Sequence, residues 1–120
     1  MLKPILILVC CAFSSLAFAE EAVLRHLVMF QFKEGTTAEQ VTEIEQKFEA
    51  LETQIDTIID FEWGTAATTE RNQGFTHCFT ITFKDMSGLD AYLPHDAHQA
   101  FVAIASPHVK DLLVFDYFAK

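Results

Sequence analysis

Cysteine is scarce in this sequence of 120 residues. Two of its three cysteines, Cys10 and Cys11, lie in an apolar stretch at the N-terminus, and Cys78 is the third. A folded domain that follows this stretch would hold Cys78 alone, so it could form no internal disulfide. Its stability must then come from packed side chains, and a length of roughly 100 residues is enough for one domain with one core. We interpret Cys78 as a small buried apolar residue, because no basic neighbour in the sequence would lower its pKa.

Basic side chains are also few, since eight Lys and Arg stand against seventeen Asp and Glu, which gives a formal net charge of −9. An acidic surface repels the phosphate backbone of nucleic acids. It equally disfavours adsorption to anionic lipid surfaces. We therefore predict no nucleic-acid partner and no stable association with membranes.

The apolar runs are too short to cross a bilayer, which takes about 20 residues. The longest, residues 5–13, follows the positive Lys3 and precedes the small-x-small triplet Ala-Phe-Ala at 17–19. This order is the layout of a secretory signal peptide. We predict a signal peptide over residues 1–19 and an exported domain over residues 20–120, either periplasmic or secreted.

The spacing of apolar residues predicts six regular elements in the exported part. A two-residue alternation predicts strands at 24–32, 58–64, 75–83 and 112–118. Helical spacing predicts one long helix as far as Ile55, which a capping box at Thr36 or Thr37 would begin. A second helical segment stops at Pro94 and continues from about residue 95 to 105. The order β-α-β-β-α-β favours a ferredoxin-like α+β sandwich.

The strands of this sandwich have apolar side chains on both faces. On the first strand His26, Val28 and Phe30 share one face, while Leu27 and Met29 share the other. The helices can cover only one face of the sheet. Packing two sheets face to face would bury the remaining surface, so we predict a homodimer.

The segment 90–101, DAYLPHDAHQAF, holds the side chains best suited to chemistry. Tyr92 is a weak acid of pKa about 10, and the imidazoles of His95 and His98 titrate near 6.5. Together a phenol and an imidazole could polarise a carbonyl oxygen and accept a neighbouring proton at neutral pH. The alternative is a corner between two helices, in which these polar groups only cap and satisfy the backbone.

Several short motifs in order resemble the stress-responsive A/B barrel domain (Dabb) family. They are RHLVMFQFK at 25–33, FEWG at 61–64, GFTH at 74–77, the segment 90–101 and LVFDY at 113–117. The resemblance covers about residues 24–118 and implies a dimeric α+β barrel, in which two four-stranded sheets close around each other. One departure is Asp96, where the family usually has proline between the two histidines.

The resemblance also implies roles for individual residues. An enzymatic relative, a plant polyketide cyclase, uses a tyrosine and a histidine as an acid–base pair, and these match Tyr92 and His98. Two further pocket histidines match His26 and His77, which would converge with the pair on one cavity. The alternative for His26 and His77 is that each is a satisfied core group on an apolar strand face.

His95 is counted with His26 and His77 as a ligand-binding candidate, although it could instead cap the corner. With His98, three residues further on, it could bind a metal, yet the sequence offers no third ligand at motif spacing. We therefore predict no metal and no cofactor.

Two functions are compatible with these observations. The first is an exported dimeric protein of stress-response type whose cavity holds a small apolar ligand. The second is an enzyme of lyase or cyclase type, in which Tyr92 and His98 act on a carbonyl substrate. The predicted signal peptide favours the first, because thioester polyketides are made and consumed in the cytoplasm.

Overall fold

A computed structural model describes residues 22–120, so the predicted signal peptide over residues 1–19 lies outside the described part of the chain. The longest helix in residues 22–120 has 12 residues, and none there is long and apolar enough to cross a membrane. The elements, in order, are β1 Leu24–Phe32, α1 Ala38–Glu49, α2 Leu51–Gln54, β2 Ile58–Thr65, β3 His77–Phe83, α3 Met86–Tyr92, α4 Asp96–Ala105, a short 3₁₀ turn Ser106–His108 and β4 Val109–Phe118.

The four strands form one antiparallel sheet in the order β2-β3-β1-β4. Helices α1 and α2 follow β1, and helices α3 and α4 follow β3, so each half of the chain contributes a strand–helix–strand unit. The predicted ferredoxin-like α+β sandwich is therefore confirmed. The register places His26 opposite Ile81 on β3 and opposite Asp116 on β4.

One face of the sheet lies under the helices and carries the core. Because successive side chains of a strand point to opposite faces, alternate residues of β1 and β3 enter this layer. They meet the apolar side of α1 and the inner faces of α3 and α4. The buried residues of the layer include Val28, Phe30, Phe79, Ile81 and Phe83 from the sheet, and Ile44, Phe48, Leu89, Tyr92 and Phe101 from the helices.

A capping box begins α1, as the sequence predicts. The Thr37 hydroxyl accepts from the Gln40 backbone N–H at 3.1 Å, and the Gln40 side chain accepts from the Thr37 N–H at 2.9 Å. The predicted single helix as far as Ile55 is interrupted at Ala50, however. The Thr53 hydroxyl donates to the Ala50 carbonyl at 3.1 Å, and such side-chain bonds compete with the regular helical pattern.

No element of residues 22–120 covers the other face of the sheet in the single chain. This face presents Arg25 and Leu27 from β1, Cys78 and Thr80 from β3, and Leu113, Phe115 and Tyr117 from β4. We call this set of residues the open face. Cys78 lies on it and is partly buried in the single chain, and this burial raises the pKa of its thiol.

Candidate functional site

Tyr92 lies in the last turn of α3 and points its ring into the layer between helices and sheet. The side chain is fully buried and packs against Phe83, with ring centroids 5.1 Å apart. Its hydroxyl has no hydrogen-bond partner within the described part of the chain. Burial raises the pKa of Tyr92 well above its ordinary value, so the phenol stays protonated and can donate a hydrogen bond.

His98 packs directly against this phenol, with ring centroids 4.4 Å apart. Pro94 follows the end of α3, and the chain then restarts as α4, whose first turn carries His98. The Leu93 carbonyl can only accept, so His98 Nδ1 carries the proton and donates to it at 2.8 Å. Nε2 is therefore left as the acceptor of a neutral imidazole.

The environment of His98 favours this neutral form. Desolvation lowers the pKa of His98, the nearby His26 and His95 lower it further, and the hydrogen bond to Leu93 opposes them. A histidine whose pKa lies below its usual 6.5 is neutral at pH 7. Such an imidazole is available as a base.

His26 joins Tyr92 and His98 from the sheet side. It is buried on β1, with its ring 5.8 Å from that of Tyr92 in an edge-on arrangement. Its Nδ1 contacts the Asp116 carboxylate at 2.5 Å. The carboxylate must accept this bond, which fixes the tautomer and orientation of the imidazole. Sequence reasoning missed Asp116, since only the pairing register of β1 and β4 brings it opposite His26.

The structure thus brings Tyr92, His98 and His26 together, and we call these three residues the polar cluster. The cluster holds a phenol that lacks an acceptor and a neutral imidazole next to it. A carbonyl oxygen could receive the phenol hydrogen bond, and His98 Nε2 could accept a proton from the carbon next to that carbonyl. This is the arrangement that general acid–base chemistry requires.

His77 does not belong to the polar cluster, so the predicted convergence of four residues on one cavity is not observed. His77 is four residues along β3 from Ile81, the partner of His26, which separates the two by about 13 Å. Its ring nitrogens contact Glu45 Oε2 and Thr76 Oγ1, each at 2.8 Å. Both ring nitrogens of His77 therefore have partners within the chain, as the core alternative requires. His77 also lines a cavity on the sheet, and its role as a ligand-binding residue stays a prediction.

His95 caps α4, which confirms the capping role considered for it. Its Nδ1 accepts from the Ala97 backbone N–H at 3.0 Å. Asp96 is the first residue of the same helix, where a carboxylate stabilises the helix N-terminus. Within residues 22–120 no three His, Cys, Asp or Glu side chains are grouped so that they could hold a metal ion.

Two of the cavities formed by residues 22–120 lie beside the sheet near the strands that carry the candidate residues. The smaller, of about 240 Å³, lies between α4 and β4 under Phe101, Ala105 and Leu112. The larger, of about 510 Å³, opens on the open face beside the loop between β2 and β3, and Arg71 is among its lining residues. Neither lining includes Tyr92 or His98.

Comparison with known proteins points to one protein family. The family model of the stress responsive A/B barrel domain matches residues 24–119. An Arabidopsis thaliana stress-response A/B barrel domain-containing protein is 37% identical over 95 residues, which cover 78% of this chain and 83% of the plant protein. Other solved structures of this fold are described as dimeric ferredoxin-like proteins.

Two of the similar proteins are enzymes by name. Olivetolic acid cyclase of Cannabis sativa is 30% identical over 95 residues, covering 78% of this chain and 94% of the cyclase. The solved structure of a hydroxynitrile lyase from Passiflora edulis aligns with a TM-score of 0.79 over 83% of this chain and 95% of the lyase, at 20% identity. At this level of identity, the similarity to the lyase shows that the two proteins share a fold.

Proposed function

Since this chain belongs to the stress-responsive A/B barrel (Dabb) family, we propose that it is an exported homodimer that binds a small apolar molecule at the polar cluster. The bound molecule carries a carbonyl group or a similar acceptor, which takes the hydrogen bond of Tyr92. His98 lies beside the same atom. His26, held by Asp116, completes the polar end of the site.

The unpartnered hydroxyl of Tyr92 is the observation that carries this proposal. A buried polar group without a partner costs about 1–3 kcal/mol, so chains seldom keep one without a use for it. The hydroxyl lies among apolar rings and against His98, and no group in residues 22–120 accepts a hydrogen bond from it. A ligand oxygen would satisfy it.

The open face supports the homodimer. Phe115 is 59% exposed there, and Leu113 and Tyr117 on the same strand are exposed as well. A contiguous apolar surface of this kind is typical of a protein–protein interface. A two-fold dimer would bury the same residues on both chains. Proteins of this fold that are described as dimeric agree with this assembly.

Titration with butanone, followed by NMR chemical shifts, tests the binding site. We expect the exported domain to bind this small ketone and Tyr92→Phe to weaken binding about threefold to tenfold, which is the contribution of one hydrogen bond. Tyr117→Phe removes the other tyrosine hydroxyl of the chain, on the open face, and should leave the affinity unchanged. Equal binding by Tyr92→Phe and the wild type would refute the proposal.

A second candidate is catalysis of lyase or cyclase type, and the free Nε2 of His98 beside Tyr92 favours it. His98 would take a proton from the carbon next to a carbonyl, and Tyr92 would stabilise the resulting enolate oxygen. Such acid–base help contributes about 10² to 10⁴ in rate. The names of the cyclase and lyase relatives agree with this chemistry. The acidic surface does nothing to attract an anionic thioester, so binding remains the first proposal.

A further inference from the structure

The cavity of about 510 Å³ lies on the opposite side of the sheet from the polar cluster, and we call it the loop cavity. Its floor is one row of paired residues across the four strands, which consists of Gly64, Cys78, Met29 and Leu113. Residues that pair directly across an antiparallel sheet point to the same face, so Cys78 and Leu113 place this row on the side of the open face. The loop between β2 and β3 forms one wall. The sheet therefore separates the loop cavity from Tyr92 and His98.

Gly64 leaves room in this floor that residues 22–120 do not use. A Cβ added at position 64 would meet no atom of the described residues within 4 Å. The backbone at Gly64 has no positive φ, so the conformation does not require glycine either. Glycine weakens the interior of a strand, and it often marks a place where a ligand or another backbone approaches closely. The space over Gly64 is thus open to a molecule from outside the described part of the chain.

Hydrogen bonds hold the loop wall in place. The Asn72 side chain donates to the Phe75 carbonyl, and the Phe75 N–H donates to the Asn72 carbonyl, each at 2.9 Å. The Ala66 N–H donates to the Thr76 carbonyl at 2.9 Å and so joins the two ends of the loop. The wall is therefore pre-formed, as the walls of small-molecule sites usually are. The volume also falls within the range of such sites, roughly 300–1,000 Å³.

The loop cavity carries a positive charge in an otherwise acidic protein. Arg71 lines the cavity, and no Lys, Asp or Glu of residues 22–120 does. The Arg71 guanidinium forms no ion pair within this part of the chain. The formal net charge of −9 makes most of the surface repel anions. Arg71 can attract an anion locally, and its planar guanidinium suits the two oxygens of a carboxylate.

The floor favours an apolar, aromatic body for this anion. Met29, Cys78 and Leu113 supply the side chains of the floor, and Phe75 adds a ring at the end of the loop. Burial raises the pKa of the Cys78 thiol, so the thiol is neutral at pH 7 and behaves as a small apolar group. A methionine sulfur makes favourable contacts with aromatic rings. A flat ring can therefore lie on this row of the sheet.

We propose that the loop cavity is a second ligand site, which binds an aromatic carboxylate. The carboxylate is held by Arg71, and the ring lies over Gly64 against Met29 and Cys78. This site is independent of the function proposed for the polar cluster, because the sheet separates the two. The alternative occupant is a side chain of a second copy, since Leu113 belongs to the open face as well as to the cavity floor.

Calorimetric titration with 2-naphthoate and 2-naphthamide tests the charge and the ring separately, because the two compounds share their rings and differ in charge. The exported domain should bind naphthoate at least about threefold more tightly than naphthamide, through the ion pair with Arg71. Salt at about 1 M, where the Debye length is about 3 Å, should reduce this preference. Tyr92→Phe should bind naphthoate like the wild type.

Two variants locate the site. Arg71→Gln should bind both compounds with nearly equal affinity. Lys84→Gln removes the same charge from an exposed residue outside the cavity lining and should keep the preference for naphthoate. Gly64→Val should weaken binding of both compounds at least about tenfold, because the new side chain takes the place of the ring. This variant should fold, since the position is open and a β-branched residue suits a strand.

The outcomes are distinct for the two sites. Equal affinity of the wild type for naphthoate and naphthamide, or no binding of either, would overturn the inference. Loss of naphthoate binding in Tyr92→Phe would place the anion at the polar cluster and overturn it as well. If light scattering shows that Arg71→Gln becomes monomeric, and the wild type binds neither compound, a second copy occupies the loop cavity. Arg71→Gln changes an exposed side chain, so it decides the question even if Gly64→Val does not fold. Butanone binding tests the polar cluster separately.

Discussion

The imidazole of His98 packs on the phenol of Tyr92 at 4.4 Å although the two residues belong to different helices. On one continuous helix, six residues of separation would point the side chains about 120° apart, from 3.6 residues per turn. Pro94 ends the first helix, and His95 caps the second and sets its new direction. The corner between the helices is therefore what makes the contact possible.

Removal of the Tyr92 hydroxyl should not destabilise the protein. The hydroxyl is buried without a hydrogen-bond partner among the described residues 22–120, so Tyr92→Phe should leave the free energy of unfolding unchanged or raise it by about 1–2 kcal/mol. Urea denaturation measures this quantity, and the exposed Tyr117→Phe should change it by less than about 0.5 kcal/mol. A loss of more than about 1 kcal/mol in Tyr92→Phe would mean that the hydroxyl has a partner in the assembled protein.

Acid should weaken the fold through His98. The pKa of His98 is lowered in the fold by desolvation and stays near 6.5 in the unfolded chain, so between these values the unfolded chain binds more protons. The stability associated with His98 is present above pH 6.5 and falls as the pH drops through that window. Unfolding free energies at pH 7 and pH 5 should therefore differ more for the wild type than for His98→Gln. An equal difference in both proteins would contradict the lowered pKa.

A charge on the open face should separate the proposed dimer. Phe115→Asp puts a carboxylate at the most exposed large aromatic of β4, where burial against a second chain would be costly. Light scattering should then report a monomer mass. Met86→Asp changes a similarly exposed residue in the first turn of α3 and should remain a dimer. A wild-type chain that is monomeric at micromolar concentration would show the assembly to be wrong.

Glu45 should matter for stability and not for binding. Glu45→Gln removes the charged partner of the buried His77 and should lower the free energy of unfolding by about 1–3 kcal/mol. Ketone affinity should be unchanged, because His77 lies about 13 Å from His26. Glu43→Gln, an exposed change on the same helix, serves as the control. Weaker ketone binding in Glu45→Gln would place His77 back in the site.

Export predicts a defined N-terminus for the native protein. Intact-mass measurement of protein from the original cells should find a chain that begins at Glu20, because the small-x-small triplet ends at Ala19. The same measurement on a cytoplasmic fraction is the control. A soluble cytoplasmic chain that retains Met1 would refute export.

Local patterns predicted most of the fold because their causes are local. The Thr37 capping box, the alternation of β1 and the stop at Pro94 each depend on neighbouring residues. The corner that Pro94 makes between α3 and α4 also brings Tyr92 and His98 into contact. The interruption at Ala50 was missed, since apolar spacing alone cannot show how the Thr53 hydroxyl will bond.

Distances across the sheet could not be predicted in this way. Alternation places His26 and His77 each on an apolar face of its own strand, but such a face extends the whole length of the strand. Only the pairing register shows that Asp116 meets His26 and that His77 lies beyond the Phe48 and Phe79 rings. Register depends on the joint packing of several strands, which no single segment of sequence encodes.

The two sides of β4 make this strand intolerant of length changes. Leu112, Val114 and Asp116 point to the helix side, and Leu113, Phe115 and Tyr117 point to the open face. Deleting one residue from the turn before β4 would move each of these two sets of side chains to the opposite face of the sheet, because a slip of one position reverses the direction of every side chain in the strand. Asp116 would leave His26, and an aromatic ring would take its place. Substitutions within either set of side chains should therefore be tolerated far better than the insertion or deletion of a residue between positions 106 and 109.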